Sequence, residues 1–226
     1  MKIIILAAGI GSRLGNPFPK PLTPLKNGKS IMQRQIDNIT TYFDVNDITT
    51  VVGFKKNLIM EQFPEVNYVY NPFFDTTNTS KSLLRALKKH RGNSILWFNG
   101  DVVFDPQLLS LLLDEINNNQ SFVSVNTQSV SEEEVKYTLK DGYVLDLSKN
   151  VKNGLGEAVG INFISSNDLD IFIDQLEKCN DHDYFEKGLE MAIAKNNLKL
   201  KIVDISAYNC IEVDFKEDLL NANEIV

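Results

Sequence analysis

The chain begins Met1-Lys2-Ile3-Ile4-Ile5-Leu6-Ala7-Ala8-Gly9, and this run constrains the fold more than any other stretch. Residues 2–6 are β-rich and continuously apolar, with no polar alternation. A strand of that kind must be covered on both faces, as in the centre of a parallel sheet. Further strand-like runs occur at 48–52, 66–70, 94–98, 121–126, 157–164 and 199–205. Between them lie helical patterns. Ser30 caps one to about residue 43, and 58–63 is a short one. Thr79 or Ser80 opens a helix with Leu83, Leu84 and Leu87 on its apolar face. Asp105 with Pro106 starts a leucine-rich helix to about 116. Ser166 caps one to about 179, 184–195 is another, and a last helix comes after Asp214. Strands alternating with helices predict an α/β fold: a mostly parallel mixed sheet with helices on both faces. Residues 135–139 and 143–147 flank Asp141-Gly142, a strong hairpin signal. They predict a small β-hairpin lobe, inserted at about 130–156 beside the active site. No repeat or linker divides the chain, so 1–226 reads as a single domain.

The segment after the first strand is unusual. Gly9 and Gly11 begin a phosphate-type loop, but Leu14 stands where a dinucleotide fingerprint needs its third glycine. Pro17, Pro19 and Pro21 then forbid the helix such a loop opens into. Gly28-Lys29-Ser30 imitates the end of a P-loop, yet Thr23 stands where glycine is required. A third arrangement fits the residues. Leu6, Ala7, Ala8 and Gly9 end the strand, and the small ones let a base or ribose approach the backbone. Gly11 and Ser12 can turn amide N–H groups toward phosphate oxygens. Arg13 adds a forked cation. The prolines stiffen an extended strap that carries Lys20 back over the same site.

Charge points the same way. The chain carries a net charge of −7 over 226 residues, which argues against nucleic acid. Residues 1–36 nevertheless hold Lys2, Arg13, Lys20, Lys26, Lys29 and Arg34 and no acidic residue. A local basic patch on an acidic chain suits a small anionic ligand. Residues 1–9 lack the flanks of a signal peptide, and no apolar run approaches the roughly 18 residues of a membrane span. Cys179 and Cys210 have no metal-ligand spacing and read as reduced thiols. A cytoplasmic location and no membrane partner are therefore expected.

Leu6-Ala7-Ala8-Gly9-Ile10-Gly11-Ser12-Arg13-Leu14 with Pro19-Lys20-Pro21-Leu22 resembles the signature of nucleotidyltransferases, which join a nucleoside triphosphate to a phosphorylated acceptor. Val51-Val52-Gly53-Phe54, Asn99-Gly100-Asp101, residues 156–161 and Glu212-Val213-Asp214 with Asp218 resemble further motifs of that family. Asn78-Thr79-Ser80-Lys81-Ser82-Leu83, Lys136 and Leu147-Ser148-Lys149 are similar to its cytidylyltransferase branch, as in phosphocholine and phosphoglutamine cytidylyltransferases.

The resemblance implies a Rossmann-like sheet and a CTP-dependent transfer of CMP to a small phosphorylated acceptor, with release of pyrophosphate. The acceptor would be of phosphoglutamine, phosphocholine or aminoethylphosphonate type, in cell-surface or capsule biosynthesis. It implies Mg2+ on Asp101 and Asp214. Lys20 would bridge the α-phosphate and the acceptor phosphate, and Arg13 would hold the β- and γ-phosphates. Nucleotide contacts would come from residues 6–9, Gly11, Ser12, Gly53, Asn78, Ser80 and Gly100. Acceptor contacts would come from Lys20, Lys136, Lys149 (with Lys152 its substitute) and Glu157, an acid suited to an ammonium group. A homodimer is left open. Two rival readings remain: a sugar-1-phosphate nucleotidyltransferase using UTP, dTTP or GTP, and a non-catalytic nucleotide-sensing module.

Other clusters carry blander expectations. Asp181-His182-Asp183 reads as a helix-entry cap with a solvated histidine. Glu132-Glu133-Glu134 reads as a solvated loop. Tyr184, Phe185, Phe73 and Phe74 could line the acceptor pocket or the core equally well, and Asn78 could simply cap a helix.

Overall fold

The computed structural model describes residues 1–128, 130 and 134–226. Expectations for Glu132 and Glu133 lie outside the described residues. Seven strands form the main sheet: β1 (Lys2–Ala7), β2 (Ile48–Val52), β3 (Asn67–Tyr70), β4 (Ile95–Asn99), β6 (Phe122–Asn126), β9 (Glu157–Ile164) and β10 (Lys201–Asp204). Their order is β10-β6-β9-β4-β1-β2-β3. All run parallel except β9, which is antiparallel to both β4 and β6. The expected hairpin is present as β7 (Lys136–Lys140) and β8 (Tyr143–Ser148), joined to the sheet where Lys136 pairs with Glu157. Its turn uses left-handed backbone at Asp141 (φ 54°) and Gly142 (φ 79°), which glycine adopts without penalty.

The polarity-free first strand is explained by its two covers. Ile3 and Ile5 face one core, with α1 (Ile31–Thr40), α2 (Lys56–Gln62) and α4 (Leu108–Asn117). Ile4 and Leu6 face the other, with α3 (Thr79–Lys89), α5 (Leu169–Lys178) and α6 (Phe185–Asn196). Side chains alternate along a strand, so a doubly covered strand is apolar throughout. The hairpin's Tyr137, Val144 and Leu147 join the second core. A third cluster ties the proline strap to α7 (Lys216–Glu224) through Leu14, Leu25, Ile31, Val213 and Ala222.

Helix starts depart from expectation in three places. Asn78 caps α3, its side chain accepting from the Thr79 amide, rather than Thr79 or Ser80. Asp105 does not cap α4, because its carboxylate accepts from the backbone and side chain of Asn209. The residue before α5 is Asp168, not Ser166, and its carboxylate is drawn to the hydroxyls of Ser121 and Ser165. Ser30 does cap α1, accepting from the Gln33 amide. Sequence reasoning also missed β5 (Val102–Phe104), which pairs antiparallel with β11 (Cys210–Glu212). Cys179 and Cys210 are free thiols. Among the described residues no helix is long and apolar enough to cross a membrane.

Candidate active site

The chain passes from β1 to β2 on one side and places β4 on the other, so the order reverses beside β1. Ligands of open α/β sheets bind in the crevice at the carboxyl ends of such strands. There Leu6 lies opposite Asn99, and the Gly100 amide donates to the Leu6 carbonyl at 2.9 Å. A cavity of about 570 Å³ opens at this point.

The glycine loop is shaped by close approach. Gly11 has φ 66°, and a Cβ there would lie 2.8 Å from the Cβ of Lys20. The strap carrying Lys20 therefore crosses directly against the loop, as the prolines predict. Ser12–Leu14 and Lys20–Leu22 are single 3-10 turns, and Asn16 bonds Thr23 at 3.0 Å within the strap. Lys55 donates to the Pro17 carbonyl, latching the strap to the turn after β2. Gly100 permits a second close passage: its Cβ would sit 2.5 Å from the Leu6 carbonyl oxygen.

The strap delivers the Lys20 ammonium between two carboxylates. Its Nζ lies 2.6 Å from Asp101 and 2.5 Å from Asp214. Arg13 approaches the other oxygen of Asp214 at 3.0 Å, with its guanidinium 5.6 Å from the Phe215 ring centre. Asp101 precedes β5 and Asp214 lies just beyond β11, and the Val213 amide donates to the Asp101 carbonyl at 3.0 Å. The small β5–β11 ladder thus sets the spacing of the two acids. Asp218 reaches back from α7 to accept from the Asp214 and Phe215 amides, fixing the backbone of Asp214.

Charge state follows from this packing. Burial pulls the Lys20 pKa down, but Asp101 and Asp214 outweigh it and hold the amine above its ordinary value. Burial pushes Asp214 up, and Lys20 and Arg13 bring it below the ordinary carboxylate value. Glu212 is raised well above that value by burial and by Asp101 and Glu134, with partial relief from an Asn99 hydrogen bond at 3.1 Å. Glu186 is pushed up to about 7, chiefly by burial. Asp101 Oδ1, Asn99 Oδ1 and Glu186 Oε2 are buried acceptors without a hydrogen-bond partner. All three residues line the cavity.

Most sequence-predicted site residues meet here. Leu6, Ala7, Gly9, Gly11, Ser12, Arg13, Lys20, Gly100, Asp101, Lys149 and Asp214 line the cavity, as do Tyr184 and Phe185. Ala8, Gly53, Asn78, Ser80, Lys136 and Glu157 do not. Gly53 instead gives close passage to the Ala8 carbonyl and Phe74, and Phe73 is exposed beneath Arg85. Glu134, read from the sequence as part of a solvated loop, instead lines the cavity, and so do Asn99, Glu186 and Glu212, to which sequence reasoning gives no role. Glu212 stands inside one of the family-like motifs, and Glu186 carries no signal, being one charge on an amphipathic helix.

The donor set fits a divalent cation on structural grounds. Asp101 has a buried oxygen without a partner, and the Lys20 ammonium occupies the gap between the two carboxylates as a monovalent stand-in. Among the described residues no group of three or more metal-ligating side chains gathers. A hard cation such as Mg2+ takes one or two carboxylates and completes its shell with water and phosphate oxygens.

Comparison with known proteins gives the fold a family. The chain is 33% identical over 121 residues to the CMP-5'-(3-aminopropyl)phosphonate synthase of Streptomyces rubellomurinus, covering 50% of this chain and 19% of that protein. It is 31% identical over 122 residues to the bifunctional protein GlmU of Methanococcus aeolicus, covering 52% of this chain and 29% of the relative. These matches span less than a third of either relative's length. Among solved structures, CTP:phosphocholine cytidylyltransferase from Streptococcus pneumoniae superposes with a TM-score of 0.77 at 19% identity, over 99% of this chain and 98% of that one. The model of the MobA-like NTP transferase domain matches residues 3–156, from β1 to the threshold of β9, and the chain belongs to that family.

Proposed function

We propose that the protein is a Mg2+-dependent cytidylyltransferase that moves CMP from CTP to a small phosphorylated acceptor. The observation that carries this reading is Lys20, held by a proline strap between Asp101 and Asp214 beneath a glycine loop that ends in Arg13. An acceptor phosphate oxygen attacks the α-phosphorus of CTP. The bond from that phosphorus to the bridging oxygen breaks, and pyrophosphate leaves. The attacking oxygen is already anionic, so the chain supplies no nucleophile or base. Its task is to hold two anions together and stabilise charge as it spreads.

Lys20 contacts the α-phosphate and the incoming phosphate together. Arg13 holds the departing β- and γ-phosphates, with amides of Gly11 and Ser12 turned to the same oxygens. Asp101 and Asp214 would hold the metal, which when bound neutralises charge on the phosphate oxygens. Lys149 would take the acceptor phosphate in preference to Lys136, because Lys149 lines the cavity and Lys136 does not.

The preference for CTP is supported by the names of the S. rubellomurinus relative and the S. pneumoniae structure. The GlmU relatives favour a second reading, a sugar-1-phosphate nucleotidyltransferase. Pyrophosphate release, crossing CTP, UTP, GTP and ATP with amino-phosphates, aminophosphonates and sugar-1-phosphates, separates the two. Release with CTP and an amino-bearing acceptor is expected. Release only with a sugar phosphate and another nucleotide would install the second reading.

A further inference from the structure

We propose that Glu186 reads a primary ammonium group on the acceptor and selects it over a quaternary one. The inference deepens the cytidylyltransferase reading and rests on it for the acceptor's identity. Glu186 sits in the first turn of α6 and lines the cavity that holds Lys20 and Asp101. Its Oε2 is buried with no hydrogen-bond partner, and so is Oδ1 of Asn99, another residue lining the cavity. An unmet buried acceptor is costly, and a ligand that brings N–H donors removes the cost. Two charges act on Glu186 in opposite directions, the cation Lys149 and the anion Glu134. Lys149 is engaged over the Tyr184 ring at 5.1 Å.

A quaternary ammonium has no N–H to give and is held by aromatic faces. Three aromatic residues line the cavity among the described residues: Tyr184, Phe185 and Phe215. Tyr184 carries Lys149, and Phe215 carries Arg13. Phe185 is buried against the edge of Trp97, with ring centres 5.5 Å apart. Phe185 is closed off by the core, Tyr184 and Phe215 carry cations until Lys149 and Arg13 move to phosphate oxygens, and the unmet buried groups are hydrogen-bond acceptors. That combination fits an aminoalkyl phosphate or phosphonate.

The test is calorimetric titration of the full chain with phosphoethanolamine, phosphocholine and ethyl phosphate. It is done with Mg2+, both with and without a non-hydrolysable CTP analogue. Wild type should bind phosphoethanolamine at least about tenfold tighter than the other two, and Glu186→Gln should erase that preference. Glu186→Asp, which shortens the reach of the carboxylate, should weaken it. Equal or tighter binding of phosphocholine by wild type, or an undiminished preference in a folded Glu186→Gln protein, overturns the inference. So does failure to bind phosphoethanolamine under either condition. Turnover decides the underlying reading separately. Selective binding without CTP turnover would keep the inference and remove the reading. CTP turnover with only uncharged phosphate acceptors would do the reverse.

Discussion

At the scale of single residues, the site is built from charges held in unusual company. Lys20 neutralises two acids across 81 and 194 positions of sequence. Lys20→Ala should cut pyrophosphate release by about 10²–10³-fold, the range for removing one stabilising charge or donor at a reacting centre. It also leaves Asp101 and Asp214 facing each other. Its melting temperature should fall in EDTA and recover with Mg2+, which thermal unfolding under both conditions would measure. A folded variant with near-normal turnover would remove Lys20 from the chemistry. Gly9 makes the contrasting case. A Cβ there meets nothing within 4 Å, so Gly9→Ala should melt as wild type does while CTP affinity falls, because only the ligand needs the space.

Glu186 gives a prediction with a definite sign. Its folded pKa of about 7 lies above its ordinary 4.5, so between those values the folded chain binds more protons than the unfolded one. Stability therefore falls as pH rises through that window and levels off above it. Lys149 opposes the shift and Glu134 adds to it. Glu186→Gln removes this liability. The ligand-free variant should match wild type near pH 4 and melt a few degrees higher (roughly) at pH 8. Parallel melting curves across the range would refute the assignment.

At the scale of elements, much was legible and the exceptions have causes. The strands β2 and β9 lie within their predicted bounds because apolar runs ended by glycine or polar turns leave little freedom. β5 was missed because three residues after a turn carry no periodicity, and only β11, far along the chain, makes them a strand. Ser166 and Asp105 look like caps, but their side chains accept from tertiary partners instead, Asn119 and Asn209. The crossing of the strap over the glycine loop was legible because glycine and proline act through the backbone. Glu186 was not, because its burial depends on how α6 meets the hairpin, far away in sequence. Gly160 belongs to this scale too. A Cβ there would lie 2.5 Å from Glu212 Oε1 and 2.6 Å from Asn99 Nδ2, where β9 passes beneath the small ladder. Gly160→Ala should lower turnover at least about tenfold by displacing β11, and with it Asp214. Circular dichroism should show the main sheet intact.

For the whole molecule, the sheet and the site are nearly separable. The two large cores draw nothing from α7, and only Cys210 of β11 packs against them. The third cluster, by contrast, depends on Val213 and Ala222. A chain ending at residue 209 should therefore keep most of its far-ultraviolet dichroism, show no turnover, and bind Mg2+ no better than Asp101→Asn does. Retained turnover would show that Asp214 is dispensable.

The pairing of β11 with β5 also orders how the acidic pair is assembled as the chain is made. Asp101 emerges early, beside a lysine made earlier still, and the sheet around them can form before the last strand exists. Its partner carboxylate arrives only when residues 210–214 slide into register along Val102–Phe104. Until then a nascent chain has the crevice beside β1 with half of its acidic pair. The antiparallel ladder thereby makes the acidic pair a late product of folding, complete only once residues 210–214 have found Val102–Phe104.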